Sequence, residues 1–133
     1  MATALSFSYK RVDGALRPVI PIEISYNGKS IRHAVLVDSG ADWCVINAEI
    51  GEALGIKIKN DKPHEFMGIS GKPETGYVHV VGIKVKSVRY NTPVIFASSL
   101  KEDRYSIVGQ VGFFDQFDIR FNYKRKEIVL RNR

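Results

Sequence analysis

The sequence predicts an all-β, barrel-like domain with one or two short helices. Three observations predict it. Short runs that alternate apolar and polar residues recur along the whole chain at close intervals. Strong turn dipeptides, Asp13-Gly14 and Asn27-Gly28, punctuate them. Only two stretches have a spacing that suits a helix, and both are short.

Residues 5–9, Leu5-Ser6-Phe7-Ser8-Tyr9, alternate as a half-buried strand does. Asp13-Gly14 supplies a turn. Residues 19–26 form a second strand, in which Pro21 lacks a backbone N–H and so belongs at an edge or a bulge. Asn27-Gly28 is a type I′ hairpin signal, because both central positions of that turn need positive φ. It leads into a third strand over residues 31–37, which ends at Asp38. A strand resumes over residues 43–46. Asn47 then caps a short helix over 48–54, and Gly55 ends it. Residues 57–76 are polar and rich in turn formers, with Phe66-Met67-Gly68-Ile69-Ser70-Gly71 forming a mobile hairpin tip among them.

Residues 77–81, 83–88 and 92–97 read as three more strands. Residues 106–108 are a short apolar strand stopped by Gly109. Aromatic residues at helical spacing predict a second short helix over 111–117. Residues 117–121 and 127–130 alternate again, joined by a basic turn. About nine strands result, with no internal repeat and no linker. A chain of 133 residues suits one domain, 1–133, long enough to bury a substantial core.

Apolar content of 44% and charged content of 26% place the chain among globular rather than disordered proteins. No aliphatic run approaches the ~20 residues that a membrane-spanning helix needs. No basic-then-apolar leader precedes a cleavage site near Met1, so secretion is not indicated. The lone Cys44 cannot form an internal disulfide and fits a reducing compartment, so a cytoplasmic location is expected. The net charge is +6, and much of the excess lies late in the chain, where Arg120, Lys124, Arg125, Lys126, Arg131 and Arg133 face only Glu127. Those basic residues are not interleaved with the exposed aromatic platforms that single-strand binders use, so nucleic acid is not an expected partner.

The chemistry points to Leu36-Val37-Asp38-Ser39-Gly40-Ala41. Apolar residues run straight into a carboxylate, a hydroxyl and a glycine, and a second apolar run follows at once. Asp-Ser-Gly is also an ordinary turn sequence, since Asp and Ser side chains bond nearby backbone amides. Here, however, the turn is rooted in a core strand, where burying a charge is costly unless the site uses it.

With these segments placed, the chain resembles the retropepsin-like, single-domain aspartic proteases. Three matches fall in the family's order: Leu36 to Ala41 for the active-site strand and loop, Gly68-Ile69-Ser70-Gly71 for the flap, and Ile107-Val108-Gly109 with the stretch after it. The resemblance covers roughly residues 18–123. It implies a closed acid-protease-type β-barrel, one lobe per chain, and an aspartic endopeptidase that needs two carboxylates around one water, one acting as base and the other as acid. This chain carries one Asp-Ser-Gly, so the second Asp38 must come from another subunit, in a C2 homodimer acting on a peptide or protein substrate. No cofactor and no metal is implied.

The resemblance also assigns roles. Asp38, Ser39 and Gly40 form the catalytic set: Ser39 bonds across the dimer, and Gly40 offers its carbonyl to substrate. Ala41, Asp42, Gly68, Ile69, Ser70 and Gly71 contact substrate, with the Ile69 amide reaching it through a water. In retroviral members an Arg follows the later Gly and pairs with the counterpart of Asp42; here Gln110 stands in its place. The rival reading is a dimeric β-barrel that binds extended peptides without cutting them.

Overall fold

The structure, a computed structural model, describes residues 4–60, 63–67, 71–100 and 105–132. Twelve strands run along these residues. They are β1 (Ala4–Ser8), β2 (Lys10–Val12), β3 (Ala15–Arg17), β4 (Val19–Tyr26), β5 (Lys29–Val37) and β6 (Val45–Asn47), then β7 (Pro63–Met67), β8 (Pro73–Val85), β9 (Val88–Ala97), β10 (Ser106–Val108), β11 (Phe117–Asn122) and β12 (Glu127–Asn132). One α-helix, α1 (Ala48–Ala53), and one 3₁₀ turn, Ile58–Asn60, complete them.

The turn dipeptides act as their chemistry requires. Asn27 and Gly28 take φ of 49° and 85°, closing the β4–β5 hairpin. Asp13 and Gly14, at 49° and 80°, close the small β2–β3 hairpin, whose strands are too short to show a periodicity. The Asn47 side chain accepts the Glu49 N–H at 3.0 Å and starts α1. At the other end Gly55 has φ of 87°; its N–H donates to the Glu52 carbonyl and that of Ile56 to the Gly51 carbonyl. That pair of bonds is a Schellman cap, which needs a left-handed residue at the Gly55 position.

Six strands form a ring. The order β4–β5–β10–β6–β9–β8 returns on itself, because Glu23, Ile24 and Ser25 of β4 pair with Lys84, Ile83 and Gly82 of β8. The ladders β5–β10 and β6–β9 are parallel and the others antiparallel. Pro21 lies outside the segment of β4 that pairs with β8, so its missing N–H falls on the unpaired edge expected of it. Ile20, Ile24, Val35, Ile46 and Phe96 are fully buried in the core. Each contributes about 1.5–3 kcal/mol by leaving water.

The terminal strands form a separate sheet, β1–β12–β11, with β12 in the middle. Its inner face adds Leu5, Phe117, Ile128 and Leu130 to the same core. Lys86 ties this sheet to the ring: its Nζ donates to the Ser6 carbonyl at 2.9 Å and lies 4.3 Å from the centre of the Phe7 ring. The bond also occupies an outward carbonyl of the edge strand β1.

Three expectations are corrected. The helix expected over 111–117 is a series of turns between Val111 and Phe117. Gly112 has φ of 102° and gives its N–H to Asp115 Oδ1 at 3.1 Å. A Cβ there would meet Thr92 Oγ1 at 2.8 Å, so the aromatic spacing reflects packing of Phe113 and Phe117 against the core and not a helical face. The two strands expected over 77–81 and 83–88 are one long strand, β8, and its turn comes at Lys86 with φ of 52°. Within the stretch expected to be turn-rich, residues 63–67 form β7 by pairing with residues 73–77.

Candidate active site

The site is organised by β10. On one flank Ser106, Ile107 and Val108 pair in parallel with Val35, Leu36 and Val37, and the ladder continues as the Asp38 N–H donates to the Val108 carbonyl at 3.0 Å. On the other flank Ile107 pairs with Val45. Beyond β10, the Gln110 N–H donates to the Ala41 carbonyl at 2.8 Å and that of Val111 to the Asp42 carbonyl at 2.9 Å. The strand therefore lies between both arms of the 38–43 loop and fixes each by backbone bonds. Gly109 lets them close. A Cβ at that position would collide with the Ala41 carbonyl and lie 2.6 Å from the Trp43 carbonyl oxygen.

Within the loop the Ala41 N–H donates to the Asp38 carbonyl at 3.2 Å, and the Gly40 N–H to Asp38 Oδ1 at 2.9 Å. The second is the side-chain turn that Asp commonly makes. It orients the carboxylate and leaves Oδ2 without a hydrogen bond among the described residues. Asp38 is half-buried, and Ser39, Gly40 and Asp42 are exposed. The charge stands at the surface on a backbone that the core holds.

A cleft of about 320 Å³ opens beside this loop, lined by Gly40, Ala41, Asp42, Trp43 and Val45 and, from β7, Glu65 and Phe66. Its floor belongs to a small cluster in which Trp43 and Phe66 pack against Val45, Ile95 and Ala97. His64 sits edge-on to Trp43, ring centres 5.3 Å apart. The β7–β8 arm projects beyond the ring, since β7 pairs with residues 73–77 of β8 whereas the β9 ladder begins only at Tyr77. Of the residues expected at the tip, Gly68, Ile69 and Ser70 lie outside the described residues. Gly71 is exposed in a bend with φ of 77°. Gly40, Ala41 and Asp42 thus line this cleft, while Asp38 and Ser39 precede them on the same loop and are not among its lining residues.

Glu65 was not singled out by the sequence, and Phe66 was expected only in the hairpin tip, whereas it belongs to β7 and lines the cleft. Exposure alternates along residues 63–66 in the structure, but the sequence Pro63-His64-Glu65-Phe66 shows no clear apolar–polar alternation that would have announced a strand. Gln110 takes a definite part: its Nε2 donates to the Ser39 carbonyl at 2.8 Å. Among the described residues, no group of three or more His, Cys, Asp or Glu is placed to hold a metal ion, and no helix is long and apolar enough to cross a membrane.

The histidines and the cysteine serve the scaffold. Cys44 is 3% exposed and its Sγ donates to the Val111 carbonyl at 3.4 Å. Burial pushes its thiol up to about 11, which removes the thiolate a nucleophile would need. His79 Nε2 donates to the Ile58 carbonyl at 2.8 Å. His33 Nε2 bonds Ser106 Oγ at 2.8 Å, and that hydroxyl also accepts the Asn47 N–H at 3.0 Å, joining β5, β10 and the start of α1. No Cys–His pair forms among them.

Burial holds the His33 pKa below its ordinary value of 6.5. On acidification the unfolded chain therefore takes the proton before the folded one. The contribution of His33 is complete above pH about 6.5 and is lost as the pH falls through its folded pKa. Urea midpoints measured from pH 7 down to pH 5 should fall less steeply in His33→Gln than in the wild type. The difference in slope is bounded by one proton, about 1.4 kcal/mol per pH unit. Equal slopes would show that His33 does not titrate on unfolding.

No curated protein matches the sequence. The sequence pattern of the aspartyl protease family matches residues 20–111, which includes the Asp38 loop, the β7–β8 arm and β10. Among solved structures, a retropepsin-like aspartic protease from Rickettsia conorii is similar with a TM-score of 0.70 at 15% identity, covering 99% of this chain and 92% of that one. The EIAV protease, complexed with the inhibitor HBY-793, is similar with a TM-score of 0.56 at 22% identity, covering 71% of this chain and 82% of that one. The fold is retropepsin-like, and the chain belongs to the aspartyl protease family.

Proposed function

We propose that the chain is an aspartic endopeptidase that acts as a homodimer, each subunit a single domain over residues 1–133 and each contributing Asp38. The observation that carries this reading is one Asp38 per chain, with one carboxylate oxygen oriented by Gly40 and the other free, on a backbone locked by β10 beside a cleft. A lone carboxylate can act as base or as acid in a given step, but not as both. Two carboxylates about 3 Å apart repel by roughly 5 kcal/mol at an effective dielectric of about 20, so such a pair holds one shared proton. The ionised member takes a proton from water, and the water oxygen attacks the peptide carbonyl carbon. The protonated member gives its proton to the carbonyl oxygen. Collapse of the resulting gem-diol, with proton transfer to nitrogen, releases the amine and the acid.

In this reading Ser39 bonds across the twofold axis, and Gly40, Ala41 and Asp42 engage the substrate backbone. The tip of the β7–β8 arm, with Gly68, Ile69, Ser70 and Gly71, serves as a flap that covers the peptide and excludes bulk water. A cytoplasmic location goes with the lone, buried thiol of Cys44.

The test is dose dependence. Cleavage of a mixed peptide library between pH 3 and 7 should show a specific activity that falls on dilution, as an obligate dimer requires. Adding an equal amount of Asp38→Asn to a fixed amount of wild type should lower the rate to about half, because mixed dimers hold one carboxylate. An unchanged rate in both experiments would mean that one subunit works alone. No cleavage by a folded dimer would favour a peptide-binding module.

A further inference from the structure

The cleft beside Asp38 has aromatic and aliphatic walls and, among its described lining residues, charge of one sign. Trp43, Val45 and Phe66 line it, with Asp42 entering from the loop and Glu65 from β7. Both carboxylates belong to exposed residues. No Lys or Arg is among the lining residues described. His64, the other ionisable group on β7, packs edge-on against Trp43 and is not among the lining residues. In a chain of net charge +6 this is a locally acidic place.

Gln110 accounts for part of that charge. An Arg at this position would place a cation near Asp42. The neutral Gln110 amide instead spends its N–H on the Ser39 carbonyl at 2.8 Å. Among the described residues neither the Asp42 nor the Glu65 carboxylate has a hydrogen-bond or ion-pair partner; their backbones are held by Val111 and by the β7–β8 ladder. Two unneutralised carboxylates above an aromatic floor suit a ligand group with a long apolar stem and a cationic head. Lysine and arginine side chains have that form, laying the stem along apolar surface and keeping the head among polar groups. Trp43 adds an aromatic ring of the kind that attracts cations.

We infer that this cleft selects a basic side chain of the substrate, so that the enzyme acts on peptides carrying Lys or Arg at one fixed position near the cleaved bond. The inference rests on the protease reading above and names its substrate class. Matched peptides differing only by Lys or Met at one position, scanned along the sequence on both sides of the scissile bond, test it.

At one position the wild type should favour Lys over Met by about tenfold in kcat/KM, equivalent to about 1.4 kcal/mol. Asp42→Asn and Glu65→Gln should each reduce that ratio to about threefold, and the double variant should bring it near one. The ratio should also shrink as the Debye length falls from about 10 Å at 0.1 M salt to about 3 Å at 1 M. Cleavage with no preference for Lys at any position, or with a ratio unmoved by both variants, overturns the inference and leaves the protease reading standing. If the wild type cleaves no peptide, the protease reading fails by itself. Fluorescence anisotropy of the same labelled peptides on Asp38→Asn then decides the inference: tighter binding of the Lys member supports it, and equal or absent binding overturns it.

Discussion

Replacing Asp38 by Asn will reduce peptide cleavage by at least about 10⁴-fold while the protein stays folded. A positioned acid or base contributes about 10²–10⁴ each, and in a homodimer one substitution removes both groups at once. The fold should survive because the backbone bonds that place the loop, from the Asp38 N–H to Val108 and from the Ala41 N–H to Asp38, do not involve the carboxylate. The Asn side-chain oxygen can still accept from the Gly40 N–H, as Asp38 Oδ1 does. The measurement is kcat on a cleaved library peptide beside a thermal melt and a sedimentation profile. An unchanged kcat would remove Asp38 from the chemistry. A collapsed melt would make it a structural residue instead.

Gly109→Ala will cost stability and activity together, although residue 109 bears no chemistry. The position has no space for a methyl group: the carbonyls of Ala41 and Trp43 stand against it, and these are backbone atoms that cannot rotate away. Overpacking of this kind costs about 1–3 kcal/mol or more. For a chain of this size about 3 kcal/mol corresponds to a melting temperature lower by roughly 10 °C. The strain has two outlets, the 38–43 loop or β10. Either one moves Asp38, so kcat should fall by at least about 10²-fold even at temperatures where the variant is folded. Wild-type stability and activity in Gly109→Ala would mean that the loop is set by its own turn and not by the glycine behind it.

The contrast between these two residues also separates what was legible in the sequence. Asp38 announced itself, because a carboxylate at the end of the run from Ala34 to Val37 is chemically conspicuous. The β4–β5 hairpin was equally plain, since Asn27-Gly28 satisfies the type I′ geometry by itself. So was α1, whose cap and stop are the side chain of Asn47 and the backbone of Gly55. Each of these signals acts over a few residues, within reach of local sterics and local hydrogen bonds.

What the sequence did not disclose depends on partners remote in the chain. The 111–117 stretch has helical spacing, but the space beside Gly112 is filled by Thr92 and Cys44, and the backbone turns instead. Residues 63–67 look like a polar loop until residues 73–77 pair with them. The cleft joins Asp42 to Glu65, and Gln110 secures the Ser39 carbonyl from 71 positions away. The sequence by itself determined the all-β class, the principal turns and the candidate catalytic carboxylate, because local backbone preferences and periodic burial specify them. Only the tertiary structure decided which strands close the ring, the β7 arm and which charged residues meet at the cleft, because those arise where distant segments meet and exclude one another's alternatives.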